Sequence, residues 1–199
     1  MKSTGKSHWE RFYAAVTAGN DEQAEKLVSL LGSTDEARLL EMAQGGADLR
    51  WWGLRGLAAV GDGTVIPVVA AALEEDDPAL RAVAALALAA LYQRHSETAP
   101  PFLPRLADLL ADDDGLVRQT AADSLAQCGD AAVDVLAVAL NSSHEGVRVR
   151  AATALHRIGT LATAPSLFHH LEDPNPLVRH YAYETLDQLG LLTNVLLKK

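Results

Sequence analysis

Residues 114–129, DGLVRQTAADSLAQCG, decide the fold, because the same pattern occurs five times along the chain. In each copy an arginine follows a branched apolar residue, a small residue stands three positions after it, and a leucine stands seven positions after it. The arginines recur at a near-constant spacing, and they are Arg50, Arg81, Arg118, Arg148 and Arg179. A period of roughly 30 residues is typical of a solenoid, in which each unit buries its apolar face by stacking on its neighbours.

The quoted segment has the pattern of one amphipathic α-helix with a start and a stop. Its apolar stripe follows the helical spacing i, i+4, i+8 and i+11, at Val117, Ala121, Leu125 and Cys128. Asp114 is suited to cap the free N–H groups at the start, and Gly129 is suited to end the helix in a left-handed conformation. Residues 131–140 then predict a second helix, so each repeat is a helical hairpin.

The other repeats carry the same signals. A capping residue followed by proline stands at 77–78 and at 175–176, and prolines share one offset near the start of the second helices, at Pro67, Pro104 and Pro165. No segment alternates with period two, so no strands are expected. We predict an all-α fold, with an N-terminal helical cap over residues 1–45 and five repeats over 46–76, 77–113, 114–143, 144–174 and 175–199.

The N-terminal segment predicts three helices, over residues 8–18, 21–31 and 34–43, that cover the open side of the first repeat. We expect Asn20 or Asp21 to cap the second of them. The pair Trp51-Trp52 opens the first repeat. At least one of these rings is expected to pack against the N-terminal helices, and the other is a candidate surface anchor.

Composition narrows the class of protein. The net charge is −9, which disfavours nucleic acid and anionic membrane surfaces as partners. Cys128 is the single cysteine and stands at an apolar repeat position, so we expect a buried, inert thiol. The sequence has neither an apolar run long enough to span a membrane nor the pattern of a secretory signal, and we expect a cytoplasmic protein.

The recurring arginine needs a partner, because a cation near a helix N-terminus opposes the helix dipole. Acidic runs crowd the turns between repeats, at residues 74–77, 112–114 and 172–173. We expect each guanidinium to bind carboxylates and turn carbonyls of adjacent repeats, which is a structural role rather than an anion-binding one. The acidic runs lack the alternating pattern of a calcium-binding loop, so we interpret them as helix caps.

The pattern Asp-Pro-x-x-Arg, followed by small residues, leucine and a glycine stop, resembles HEAT-like repeats of the short type found in phycobilisome lyases (the E-Z type). The resemblance covers residues 46–199. It implies a right-handed α-solenoid whose second helices line a concave surface. It also implies binding of another macromolecule more often than catalysis.

Departures from the repeat are candidate functional features. The second repeat lacks its glycine and carries about six extra residues within 93–101, so we expect a loop there, with Arg94 and His95 as candidate partner contacts. Five of the seven histidines follow residue 143, where the formal charge is about +1, and we expect them to be solvated rather than metal-bound. A single His-Glu pair, at 144–145, is too few for the di-iron site of HEAT-repeat deoxyhypusine hydroxylases.

The sequence shows no catalytic constellation, no ligand set and no cofactor motif, which favours a non-enzymatic adaptor or scaffold that binds another protein. The candidate binding positions are the exposed ones of the second helices: Val68, Ala71, Arg105, Asp108, Val135, Val138, Ser166 and His169. A tetrapyrrole (bilin) lyase or chaperone is the alternative suggested by the resemblance. A HEAT-like DNA glycosylase is disfavoured by the negative charge and the scarcity of basic residues on the second helices.

The C-terminal segment, residues 191–199, contains five Leu or Val among nine residues and has no following repeat to cover it. An exposed apolar end is unusual for a solenoid, because terminal repeats normally present a polar face. We therefore expect this end to be covered by another copy of the chain, giving a homo-oligomer, or by a partner.

Overall fold

The computed structural model describes residues 6–95 and 101–192, and these stretches contain twelve α-helices and no strand. The chain forms two compact units, residues 1–96 and 97–199. The helices of the first unit are α1 (His8–Thr17), α2 (Asp21–Val28), α3 (Glu36–Met42), α4 (Ala47–Val60), α5 (Ile66–Ala71) and α6 (Pro78–Arg94). Those of the second unit are α7 (Leu103–Asp108), α8 (Gly115–Gln127), α9 (Val133–Ala139), α10 (Glu145–Ile158), α11 (Ala164–Phe168) and α12 (Pro176–Gln188). The all-α fold of repeated helical hairpins, the fold class of an α-solenoid, is confirmed.

The first helix of each repeat begins where the capping signals predict it. Helices α4, α6, α8, α10 and α12 start one residue after positions 46, 77, 114, 144 and 175. The side chains of Asp77, Asp114 and Asn175 each accept a hydrogen bond of 2.8 Å from the backbone N–H two residues later. Asn20 caps α2 in the same way, through the N–H of Gln23. These caps serve N–H groups that have no partner within the helix.

The second helices are shorter than expected. The 3-10 turns Gly63–Val65, Gly129–Ala132 and Leu161–Thr163 precede α5, α9 and α11, and proline stands in the first turn of α5, α7 and α11. The prediction of one continuous helix over residues 131–140 is therefore wrong in detail. Because the chain reverses immediately after the first helix, a tighter i→i+3 turn closes the corner before the α-helix starts.

Helix α3 is built like these second helices. The 3-10 turn Ser33–Asp35 leads directly into it, and α3 packs against α4. The N-terminal segment, predicted as capping helices, thus contains a structural copy of half a repeat. The sequence did not reveal this likeness, because no segment with the arginine pattern of a first helix precedes α3, and α3 lacks the proline found in α5, α7 and α11.

The core of each unit is made by the small and leucine positions of the first helices. In the first unit α4 packs against α3 and α6, and in the second unit α10 packs against α8 and α12. The leucine seven positions after the arginine is fully buried in every repeat: Leu57, Leu88, Leu125, Leu155 and Leu186. Burial of each such side chain contributes about 1.5–3 kcal/mol, so these positions carry much of the stacking energy.

The recurring glycine ends the first helix for two different reasons. Gly129, Gly159 and Gly190 have φ near +60° to +71°, the left-handed conformation that favours glycine. Gly61 is extended instead, with φ −61° and ψ 148°. A Cβ at Gly61 would lie 2.7 Å from Leu57 O and 2.8 Å from Val65 Cγ2, so close packing requires glycine there.

The second repeat, which lacks this glycine, continues its first helix instead. Helix α6 runs through Tyr92 to Arg94, so the prediction that a loop begins at residue 93 is wrong. Residues 96–100 of the predicted loop lie outside the described residues, and so do residues 193–199, on which the predicted covering of the C-terminal end depends.

The repeated arginine binds the turn that precedes its own helix. Nη1 of Arg81, Arg118, Arg148 and Arg179 donates to the backbone carbonyls six and five residues earlier, at 2.6–3.4 Å. Arg50 and Arg148 also reach a carboxylate in the turn of the next repeat. Arg50 pairs with Glu75 at 2.7 Å, and Arg148 pairs with Asp173 at 2.9 Å. The predicted structural role is thus confirmed for these residues.

Candidate functional site

A groove on the second-helix side of the first unit contains two of the predicted partner-binding residues. Its volume is about 540 Å³, and it lies between the α3–α4 turn and α5. The residues that line it are Ala43, Gln44, Arg50, Leu54, Pro67, Val68, Ala71, Ala72 and Glu75. Val68 is 39% exposed, and Ala71 is also exposed. The groove therefore offers an accessible apolar floor.

One edge of this groove is polar. The Arg50 guanidinium binds Glu75 Oε1 at 2.7 Å and Gly45 O at 3.3 Å. Both members of the ion pair are about one-third exposed, with 30% and 33% of their side-chain surfaces accessible. A pair of opposite charges beside an apolar floor can orient the polar backbone of a bound segment.

The second unit exposes apolar residues on its own second helices. Val138, in α9, is 76% exposed, and Phe168, at the end of α11, is 38% exposed. Of the remaining predicted positions, Arg105, Asp108 and His169 are exposed, whereas Val135 and Ser166 are half-buried. Phe168 was absent from the predicted set, although its place two residues after Ser166 marks it as a second-helix position.

Arg94 and His95 contact the C-terminal end of α4. Arg94 donates from Nη1 to Ala58 O at 2.5 Å and from Nη2 to Gly61 O at 3.1 Å. His95 Nε2 lies 3.2 Å from Gly61 O. Carbonyls at a helix C-terminus lack partners within the helix, so these two side chains complete the end of α4. Partial burial lowers the pKa of the Arg94 guanidinium. Their role as partner contacts stays a prediction.

The histidines of the second unit divide into two groups. His144, His169 and His180 are exposed, as expected for solvated side chains. His156 and His170 are half-buried, and for them the expectation is wrong. His156 Nδ1 lies 2.9 Å from Thr185 Oγ1, and His170 contacts Ser166 O at 2.8 Å and Leu140 O at 3.1 Å. The contacts of His156 with Thr185 and of His170 with Leu140 O connect neighbouring repeats, a packing role that spacing alone did not reveal.

Chemically reactive groups are sparse in the described part of the chain. Within residues 6–95 and 101–192, no group of three or more His, Cys, Asp or Glu residues is placed to hold a metal ion. No helix in these ranges is long and apolar enough to cross a membrane.

Cys128 is the single thiol of the chain and is 4% exposed. Burial raises its pKa to about 12. The prediction of a buried thiol at a packing position is confirmed, because Cys128 continues the apolar stripe of α8.

We expect Cys128 to react with Ellman's reagent on the order of 1,000-fold more slowly in the native chain than in urea. The reason is that the thiolate, which is the reactive species, is suppressed by the raised pKa. The absorbance of released thionitrobenzoate at pH 8 measures both rates. Equal rates in buffer and in urea would show that Cys128 is accessible.

Comparison with known proteins identifies the repeat. The sequence pattern of HEAT repeats matches residues 36–126 and 103–187. The chain belongs to the HEAT-repeat family. No curated protein sequence matches it significantly. The structure of this HEAT-repeat protein is similar to that of YibA from Escherichia coli, at 18% identity and a TM-score of 0.59, over 100% of this chain and 81% of that one.

Two engineered proteins also resemble this HEAT-repeat chain. One is an engineered protein at 18% identity and a TM-score of 0.54, covering 93% of this chain and 97% of that one. The other is a designed armadillo repeat protein in complex with the peptide (KR)4, at 15% identity and a TM-score of 0.50, covering 91% and 99%. At such identities the likeness establishes the fold alone.

Proposed function

We propose that this chain is a non-enzymatic adaptor that binds another protein through the second-helix surface of its repeats. The observation that carries the proposal is the groove of the first unit, with Val68 and Ala71 on an accessible apolar floor and the Arg50–Glu75 pair at its edge. An apolar centre with a polar rim is typical of protein-binding surfaces.

The second unit supports the same function with residues of the same class. Val138 and Phe168 expose apolar surface on second helices, and Arg105, Asp108 and His169 are exposed polar residues of the second helices or their ends. Val138 is 76% exposed, so its side chain is available to a partner.

Charge favours a basic partner segment. The net charge of the chain is −9, and opposite charge accelerates association and selects among partners. A designed armadillo repeat protein of similar fold is in complex with the basic peptide (KR)4. We propose that the partner of this chain likewise presents a basic segment, and that nucleic acid and membranes are not its ligands.

Site-specific photo-crosslinking in the source cells tests the proposal. Benzoylphenylalanine at Val68 and at Val138 should give adducts with one and the same protein. The matched control is Leu116, which is 65% exposed but lies in the first helix α8. Equal yields of that adduct from Leu116, or different proteins captured at Val68 and Val138, would contradict a second-helix binding surface.

The proposal includes four more specific predictions from the sequence. They are the phycobilisome-lyase repeat subtype, the division into a cap and five repeats, a cytoplasmic location, and a C-terminal end covered by another copy or by a partner. The bilin-lyase alternative predicts a red-shifted, protein-bound absorbance on mixing with a bilin, whereas the adaptor proposal predicts an unchanged bilin spectrum.

A further inference from the structure

A second cavity of the first unit lies on different helices from the groove. Its volume is about 430 Å³, and it is formed where the end of α1 and the start of α2 meet the first turns of α4. The residues that line it are Val16, Gly19, Asp21, Glu25, Asp48, Trp51 and Trp52. No residue is shared with the groove, so the two cavities are separate sites.

One wall of this cavity is aromatic. Trp52 is 6% exposed and meets Phe12 edge-on, at a ring distance of 5.9 Å, so its packing role in the core is clear. Trp51 stands edge-on to Trp52, with ring centres 4.8 Å apart and planes at 79°, and it is only half-buried. A tryptophan ring that remains accessible inside a concave cavity is a typical anchor for a ligand.

The same cavity carries an excess of negative charge. Asp21, Glu25 and Asp48 contribute carboxylates, and Arg55 pairs with Glu25. Among the residues that the structure describes, Asp21 and Asp48 make no side-chain hydrogen bond and no ion pair. Each stands in the first turn of its helix, where the helix dipole stabilises an acid. The helix dipole accounts for an acid in the first turn of each helix. It does not account for the position of both carboxylates beside an accessible indole ring.

We propose that this cavity binds a side-chain-sized organic cation, an alkylammonium or a guanidinium on an apolar stem. The face of Trp51 attracts the cation, Asp21 and Asp48 neutralise its charge, and Val16 contacts the apolar stem. Aromatic rings combined with carboxylates are the chemistry by which proteins recognise such cations. A lysine or arginine side chain of a polypeptide and a free amine share this chemistry.

Indole N–H signals in ¹H–¹⁵N NMR spectra test the proposal, because the chain has only three tryptophans. The probes are N-acetyl-lysine methylamide, N-acetyl-arginine methylamide and tetramethylammonium, with N-acetyl-glutamine methylamide as the neutral control at matched ionic strength. Saturable shifts of the Trp51 and Trp52 signals are expected with the cations. The Trp9 signal should stay in place, since Trp9 lies at a different cavity.

Two variants locate the binding site. Asp21→Asn with Asp48→Asn should weaken binding about fivefold, as the loss of two exposed charge contacts implies, whereas Asp76→Asn, an exposed acid elsewhere in this unit, should change nothing. Trp51→Leu should weaken binding about fivefold or more. If Trp51→Leu fails to fold, the exposed aspartate variants still decide the question.

The probes also separate the two sources of the cation. Tighter binding of a lysine-containing decapeptide than of the lysine derivative would identify a polypeptide side chain as the ligand, and equal binding would identify a free cation. Absence of saturation by every cation, or the same shifts with the glutamine control, would overturn the proposal. Neither result depends on the photo-crosslinking experiment at the second-helix groove.

Discussion

Replacing Gly53 by alanine is expected to destabilise the first unit by about 3 kcal/mol or more, because the added methyl group meets backbone atoms that cannot rotate away. An ideal Cβ at Gly53 would lie 2.5 Å from Ala43 N and 2.9 Å from Leu39 O. Alanine improves helix propensity by about 1 kcal/mol, but the overlap with α3 outweighs that gain. Urea unfolding followed by tryptophan fluorescence measures the effect, since all three tryptophans lie in this unit.

A matched substitution separates crowding from other effects of alanine. A Cβ at Gly63 would have its nearest neighbour, His95 Cβ, at 3.9 Å, which is an ordinary contact. Gly63→Ala is therefore expected to change the free energy of unfolding by less than about 1 kcal/mol. If Gly53→Ala were as mild as Gly63→Ala, the close approach of α3 to α4 would be refuted.

This contrast shows what the repeat pattern alone can and cannot predict. The sequence predicts a small residue three positions after each arginine, and the other four repeats have alanine there, fully buried. Only the structure distinguishes Gly53 from Ala121, because the distance between helices depends on what packs against them. The first repeat packs against α3, and α3 lies outside the segments that the repeat pattern predicts.

The sequence predicts features that depend on neighbouring residues, such as helix caps, more reliably than contacts between repeats. Caps such as Asp114 act within three residues, so the sequence locates the helix starts correctly. Arg94, in contrast, binds carbonyls of Ala58 and Gly61 in the preceding repeat, and His156 binds Thr185 of the following one. No spacing rule predicts these pairs, because they depend on how successive repeats stack.

The two candidate sites also differ in how well the sequence predicts them. The second-helix positions Val68 and Val138 could be predicted from their offset to the repeat, and both are exposed. The cavity at Trp51 combines side chains from α1, α2 and α4. Asp21 belongs to the N-terminal segment and Trp51 to the first repeat, so their proximity became visible only in the folded chain.

Breaking the Arg148–Asp173 pair is the second change with a large expected effect. Their side chains are only 12% and 4% exposed, and the guanidinium binds both carboxylate oxygens, at 2.9 and 3.2 Å. Arg148→Leu leaves a buried carboxylate without its partner, so we expect a loss of about 3–5 kcal/mol. Asp173→Asn, which keeps an acceptor for the Asn175 N–H, should cost about 1.5–3 kcal/mol. Amide hydrogen exchange in α10 and α12 measures both losses.

The double variant separates the ion pair from the other contacts of each residue. A coupling energy of about 1–3 kcal/mol between Arg148→Leu and Asp173→Asn is expected for two groups in direct contact. Arg118→Leu is the matched control, because Arg118 binds the equivalent carbonyls of its own turn. It differs from Arg148 in its neighbour, since the position equivalent to Asp173 is occupied by Ser142. Its cost should be clearly smaller than that of Arg148→Leu, and equal costs would assign the stabilisation to the carbonyls alone.

Acid should remove this contribution in a defined range of pH. Burial raises the pKa of Asp173, but the hydrogen bonds from Arg148 and from the Asn175 amide, with the charges of Arg148 and His170, lower it further, so the pKa lies below its ordinary value. A carboxyl group whose pKa is lowered on folding stabilises the native state above its unfolded-state pKa and loses that effect as the pH falls through its folded-state pKa. The stability difference between the native sequence and Asp173→Asn should therefore shrink as the pH falls below about 4. A difference that stays unchanged down to pH 2 would show that the charge of Asp173 does not stabilise the fold.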